Sequence, residues 1–114
     1  MSLGAGEDLV SRIKKLAEEN FPSIKDKLPS NSQVYNIKTN EGLSVTISLS
    51  NSGITVENGE SKAAVATMSM SQSDLESLIN GQLDGVKAFL SGRIKIQGDV
   101  FKTMMLNQIL KGAH

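Results

Sequence analysis

The residues that could do chemistry are few, and their spacing does little to arm them. The chain has 114 residues, one histidine, His114, at its last position, and no cysteine. Proton transfer and nucleophilic attack need a group whose pKa or reactivity is tuned by a neighbour. A histidine at a chain end, where chains fray, provides neither a Ser-His pair nor a metal ligand set. The serines Ser44, Ser48, Ser50, Ser69, Ser71 and Ser73 fall on expected strand faces or at turns. Glu18-Glu19, Asp74/Glu76 and Glu57/Glu60 are spaced as carboxylate pairs for acid–base work. Each has a local explanation as helix surface, cap or turn. The segment Gly92-Arg-Ile-Lys-Ile-Gln-Gly98 has two glycines but not the spacing of a phosphate loop. The expectation is a domain that is not an enzyme and has no catalytic residue, no metal and no cofactor.

Charge points the same way. Twelve basic and twelve acidic side chains cancel, so the chain has no global attraction to a polyanion. Lys14-Lys15 and Lys25/Lys27 read as solvated helix or loop surface. Four aromatics, Phe21, Tyr35, Phe89 and Phe101, do not interleave with basic residues, so nucleic acid is not expected as a partner. No run approaches the ~18 apolar residues of a membrane span. The lack of cysteine suits a reducing compartment, and an intracellular, cytoplasmic location is expected. Residues 1–6 read as a flexible leader, and residues 7–111 as one domain.

What must position any site is a change of period along the chain. Leu9, Ile13, Leu16 and Ala17 recur at helical spacing over residues 7–20, with a stop expected at Asn20-Phe21-Pro22. Residues 23–32 read as a linker or short helical turn. Residues 34–39 read as a strand. Residues 43–50 alternate without error, with Leu43, Val45, Ile47 and Leu49 on one face and Ser44, Thr46, Ser48 and Ser50 on the other. Residues 54–57 form a third strand. Asn58-Gly59 is a strong hairpin signal leading into a fourth strand over 62–70, with Ala64, Ala66, Met68 and Met70 on one side. The spacing Ser73-Asp-Leu-Glu76 suggests a capping box before a helix that ends near Gly81. A short helix over 86–90, a fifth strand around Ile94 and Ile96, and a final helix capped by Asp99 and running to about Lys111 complete the chain. The predicted fold class is α+β: a five-stranded, mostly antiparallel sheet covered on one face by about five helices. The fifth strand follows a crossover and could lie anywhere in the sheet, including its middle.

The last helix is unusually apolar. Phe101, Met104, Met105 and Gln108 share a face, and Leu106, Ile109 and Leu110 extend it sideways. Methionine fills irregular space and tolerates re-packing, and Met68 and Met70 face the same way on the fourth strand. Two readings fit these residues: a plain core helix docked on the sheet, or one wall of an apolar ligand cavity.

The run Leu78-Ile-Asn-Gly81, then Lys87-Ala-Phe-Leu-Ser-Gly-Arg-Ile-Lys-Ile-Gln-Gly-Asp99, then Lys102 and Met105-Leu106, resembles the C-terminal half of the sterol carrier protein 2 domain family. The resemblance extends from about Glu7 to Leu110. It is strong over residues 75–110 and architectural before Asn51. It implies a non-catalytic carrier that holds a fatty acid, fatty acyl-CoA or sterol in an apolar tunnel between sheet and helices. Carried onto this chain, it implies a lipid-binding wall made of Met68, Met70, Leu78, Phe89, Leu90, Ile94, Ile96, Phe101, Met104, Met105, Gln108 and Ile109. Gln108 is either a hydrogen-bonding group for a ligand head or a surface residue. The resemblance further implies a monomer or weak dimer in transient contact with membranes. Domains of this kind also occur fused to thiolases or dehydrogenases, so the alternative is an accessory substrate-presenting or interaction domain of a larger lipid-metabolising enzyme. Many eukaryotic relatives end in a Ser-Lys-Leu-type peroxisomal signal. This chain ends Lys111-Gly-Ala-His114, so a peroxisomal address is not expected.

Overall fold

The structure, a computed structural model, describes residues 5–110. The N-terminal helix α1 spans Ala5–Ile24 and is followed by a 3-10 turn at Lys25–Lys27. The strands β1 (Gln33–Thr39), β2 (Ser44–Ser50), β3 (Gly53–Asn58) and β4 (Ala66–Met70) come next. Then come α2 (Gln72–Ile79), α3 (Gly85–Leu90), β5 (Lys95–Gly98) and α4 (Val100–Leu110). The expected leader lies mostly outside the described residues, as does Lys111 at the expected end of the last helix. The order matches the sequence reading, with four α-helices and one 3-10 turn in place of about five helices.

Period-two patterning builds the sheet. Its strand order is β3-β2-β1-β4-β5. Val56, Ile47, Tyr35 and Ala66 align as one row across it, and Val45, Ile37, Met68 and Ile96 as the next. These rows face the helices and supply most of the buried core together with Leu9, Ile13 and Ala17 of α1. The opposite rows, such as Glu57, Thr46, Asn36, Thr67 and Gln97, face away.

Three of the four strand pairings are antiparallel, and β1–β4 is parallel. The Asn58-Gly59 signal therefore does not make a hairpin to the next strand. Gly59 has a φ of +109°, and its N–H donates to the Ser44 carbonyl at 2.9 Å, which adds one rung to the β2–β3 ladder. The chain then crosses the outer face to reach the far side of β1. Buried Asn36 anchors this strap: its amide donates to the Ser61 carbonyl at 2.8 Å and accepts from the Ser61 N–H at 2.9 Å. A side chain thus replaces a strand partner, and a tertiary contact overrides a local turn preference. The fourth strand accordingly starts at Ala66 rather than residue 62, and β5 takes an edge position beside β4.

Two helix boundaries differ from expectation. The first helix passes through Asn20 and Pro22 to Ile24. Asn20 donates its side-chain amide to the Ile109 carbonyl at 2.8 Å instead of ending the helix. Pro22 sits in the last turn, where it removes one i→i−4 hydrogen bond but leaves only two helical residues beyond it. The cap of α2 is Ser71, whose hydroxyl accepts from the Asp74 N–H at 3.0 Å. Ser71-Gln-Ser-Asp74 is therefore the capping unit, and the Ser73/Glu76 spacing is a coincidence of register.

Candidate functional site

The site forms where α3, α4 and the β4–β5 edge converge. Met68 lies on the inner face opposite Ile96, and Ile94 enters the core just before β5 begins. Asp84 starts α3 by accepting from the Val86 and Lys87 N–H groups at 2.9 and 3.1 Å. Gly98, with a φ of +100°, turns the chain out of β5. Asp99 then caps α4 by accepting from the Lys102 N–H at 3.1 Å. The two helices come close at Gly85: a Cβ there would lie 2.1 Å from Asn107 Oδ1. The glycine lets the start of α3 approach α4 closely at Asn107.

Between the two helices and the β4–β5 edge lies a cleft of about 190 Å³. Met68 and Ile96 form its floor with Ile94. Phe89 and Leu90 supply one wall with Gly85 and Val86, and Val100, Thr103, Met104 and Asn107 supply the other. The lining is predominantly apolar. The Thr103 hydroxyl donates to the Val100 carbonyl at 2.5 Å, so it is satisfied within its own helix. Two further hollows adjoin the cleft. A vestibule of about 320 Å³ shares Gly85, Val86 and Asn107 with it and adds Gln82, Asp84 and Gln108. On the other side, a groove of about 360 Å³ shares Met104 and adds Tyr35, Leu28, Phe101, Lys102, Lys27 and Met105. Separately these fall near or below the lower end of ligand-pocket size, roughly 300–1,000 Å³. The cleft and the groove meet at the unbranched side chain of Met104, and taken together they fall within it.

Among the expected wall residues, Met68, Phe89, Leu90, Ile94, Ile96 and Met104 line the cleft. Leu78 and Gln108 line the vestibule, and Phe101 and Met105 line the groove. Met70 and Ile109 are fully packed in the core and line none of the three. The face of α4 turned inward carries Thr103, Leu106, Ile109 and Leu110, while Phe101 is 89% exposed. The sequence reading passed over Val86, Val100, Thr103 and Asn107. The valines fall at expected helix starts, and Thr103 and Asn107 lie outside the apolar face expected of α4. Asn107, not Gln108, is the polar residue that borders both cleft and vestibule.

A sequence profile of the SCP-2 sterol transfer family matches residues 12–111. The chain belongs to this family. Its fold is similar to that of the apo sterol carrier protein 2 from Yarrowia lipolytica, at 23% identity over 89% of this chain and 85% of that one, with a TM-score of 0.58. It is also similar to the palmitated SCP2L2 of Aedes aegypti, at 20% identity over 100% of both chains, with a TM-score of 0.66. The stereoselective inverting sec-alkylsulfatase Pisa1 from Pseudomonas sp. contains the same fold, at 21% identity over 79% of this chain, with a TM-score of 0.61. This chain spans 14% of that enzyme's length. At such identities the likeness is one of fold.

Two titratable groups of this SCP-2 domain stand out. Burial raises the pKa of the Tyr35 hydroxyl, and the charge of Asp99 raises it further. Arg93 is exposed and pairs with Asp74 at 2.5 Å, which fastens the turn before β5 to α2. Among the described residues, no group of three or more His, Asp or Glu side chains is placed to hold a metal ion. No described helix is long and apolar enough to cross a membrane.

Proposed function

We propose that residues 7–111 act as a non-catalytic lipid carrier that holds the hydrocarbon portion of a fatty acid, fatty acyl-CoA or sterol between α3, α4 and the β4–β5 edge. The observation that carries this reading is the apolar cleft itself, open to solvent and bordered by two further hollows that share its lining residues. Each methylene moved from water into it gains about 0.8 kcal/mol. Part of that gain is offset by ordering the chain. Met68, Phe89, Leu90, Ile94, Ile96 and Met104 would contact the tail, with Phe101 and Met105 along its continuation into the groove. Leu78, Asn107 and Gln108 would meet its other end, while Met70 and Ile109 would support the walls from within the core. The palmitate on the Aedes relative supports an acyl ligand. The cleft discriminates by volume and not by hydrogen bonds, so chain-length specificity should be loose.

A second reading is favoured by the alkylsulfatase, in which this fold is one part of a larger enzyme. In such a setting the same cleft would present an alkyl or acyl substrate to a neighbouring catalytic domain. Both readings require the cleft to take up a tail. Titration with a fluorescent fatty acid should give saturable emission that palmitate displaces. Absence of uptake across acyl and sterol probes would defeat both.

A further inference from the structure

The five large apolar side chains that stand exposed among the described residues all gather in one place. Val86 and Leu90 on α3 and Val100 and Met104 on α4 form the rim of the cleft. Phe101 stands beside Met104 in the adjoining groove. Leu90 is 77% exposed. Single exposed hydrophobics are ordinary on a protein surface, but a contiguous group around one opening marks an interaction site.

The charges around this rim differ from those of the chain as a whole. The molecule is neutral overall, yet residues 84–102 carry Lys87, Arg93, Lys95 and Lys102 against Asp84 and Asp99. Both aspartates are turned toward helix starts, where they accept backbone N–H groups. Lys27 and Lys102 line the same groove as Phe101, and Lys87 lies between Val86 and Leu90 on α3. Apolar side chains projecting beside lysines match the boundary between acyl chains and anionic head groups. They match a second copy less well, since apposed rims would bring like charges together.

We infer that this rim docks the domain on a bilayer surface containing anionic lipid, with Leu90 and Phe101 entering the acyl boundary and Lys27, Lys87 and Lys102 at the head groups. The docking face stands on the rim and its lysines; with the cleft as a lipid site, its mouth would open onto the membrane, and a tail could pass in without crossing water.

Co-sedimentation with vesicles of phosphatidylcholine containing about one-third phosphatidylserine tests this. The native protein should pellet with them, less so with pure phosphatidylcholine and less so as salt rises. The double variant Leu90→Asp/Phe101→Asp should partition roughly tenfold less. Should that variant unfold by circular dichroism, the reversal Lys27→Glu/Lys102→Glu should show the same loss. Native protein that stays in the supernatant, variants that pellet equally, or variants that abolish a dimer without altering vesicle binding would overturn the docking face. A fluorescent fatty acid delivered from cyclodextrin, with no vesicles present, separates the two readings. Uptake without vesicle binding overturns docking alone, and vesicle binding without uptake overturns the cleft as a lipid site and leaves docking standing.

Discussion

Gly98 shows how closely one residue can constrain the site. Its φ of +100° lies in the region that side chains disfavour. A Cβ there would also sit 2.4 Å from the Val65 carbonyl oxygen and 2.9 Å from Ala66 Cα. Both obstacles are backbone and cannot swing aside. Gly98→Ala should therefore cost about 2–4 kcal/mol, combining backbone strain with displacement of the strap, as read by urea unfolding. Tyr35 offers a second test at this scale. Its folded pKa lies above the ordinary phenol value of about 10. The neutral form is therefore favoured on folding, so stability is undiminished below pH ~10 and falls as pH rises through the folded pKa, where the unfolded chain ionises first. Tyr35 is the only tyrosine and there is no tryptophan, so absorbance of the phenolate reports it alone. Tyr35→Phe should remove its share of the alkaline loss. Gly98 and Asp99 were legible in the sequence because a turn glycine and a capping aspartate act locally. Tyr35 was not, because its setting depends on where α4 lies across the sheet.

At the scale of elements, the strap over residues 59–65 is the least local feature of the fold. It depends on Asn36, whose amide makes both bonds to Ser61 and also accepts from the Thr46 hydroxyl at 3.1 Å. Asn36→Ala should leave the Ser61 backbone groups without their partner and cost about 1–3 kcal/mol. Hydrogen exchange should then quicken at Ser61 before it quickens in β1. The five strands were readable from alternation, and α2 to α4 from the change of period, with the Asp99 cap marking α4 while the cap of α2 was misplaced by two residues. The crossover was not, because nothing near Asn58-Gly59 announces a buried amide more than twenty positions earlier. The orientation of α4 was also unreadable, for a different reason. The helix is apolar nearly all round, so periodicity names no single inward face. The Asp99 cap and the Asn20–Ile109 hydrogen bond hold it so that Leu106 and Ile109 go inward and Phe101 outward.

For the whole molecule, the central claim is that the cleft between α3, α4 and the β4–β5 edge takes up a hydrocarbon tail. The family pattern over residues 75–110 was visible in the sequence, but the division of its apolar residues between cleft and core came only with the fold. Met68 and Met70 illustrate this: two residues apart on one strand face, one borders the cleft and the other is buried in the core beside Thr39 at the end of β1. The chain has five methionines, so a methyl-labelled methionine NMR spectrum is simple enough to follow during palmitate titration. The Met68 and Met104 methyls should shift most and saturate together, while Met70 stays nearly still. Saturating palmitate that leaves Met68 and Met104 unmoved, or that moves Met70 instead, would contradict the account.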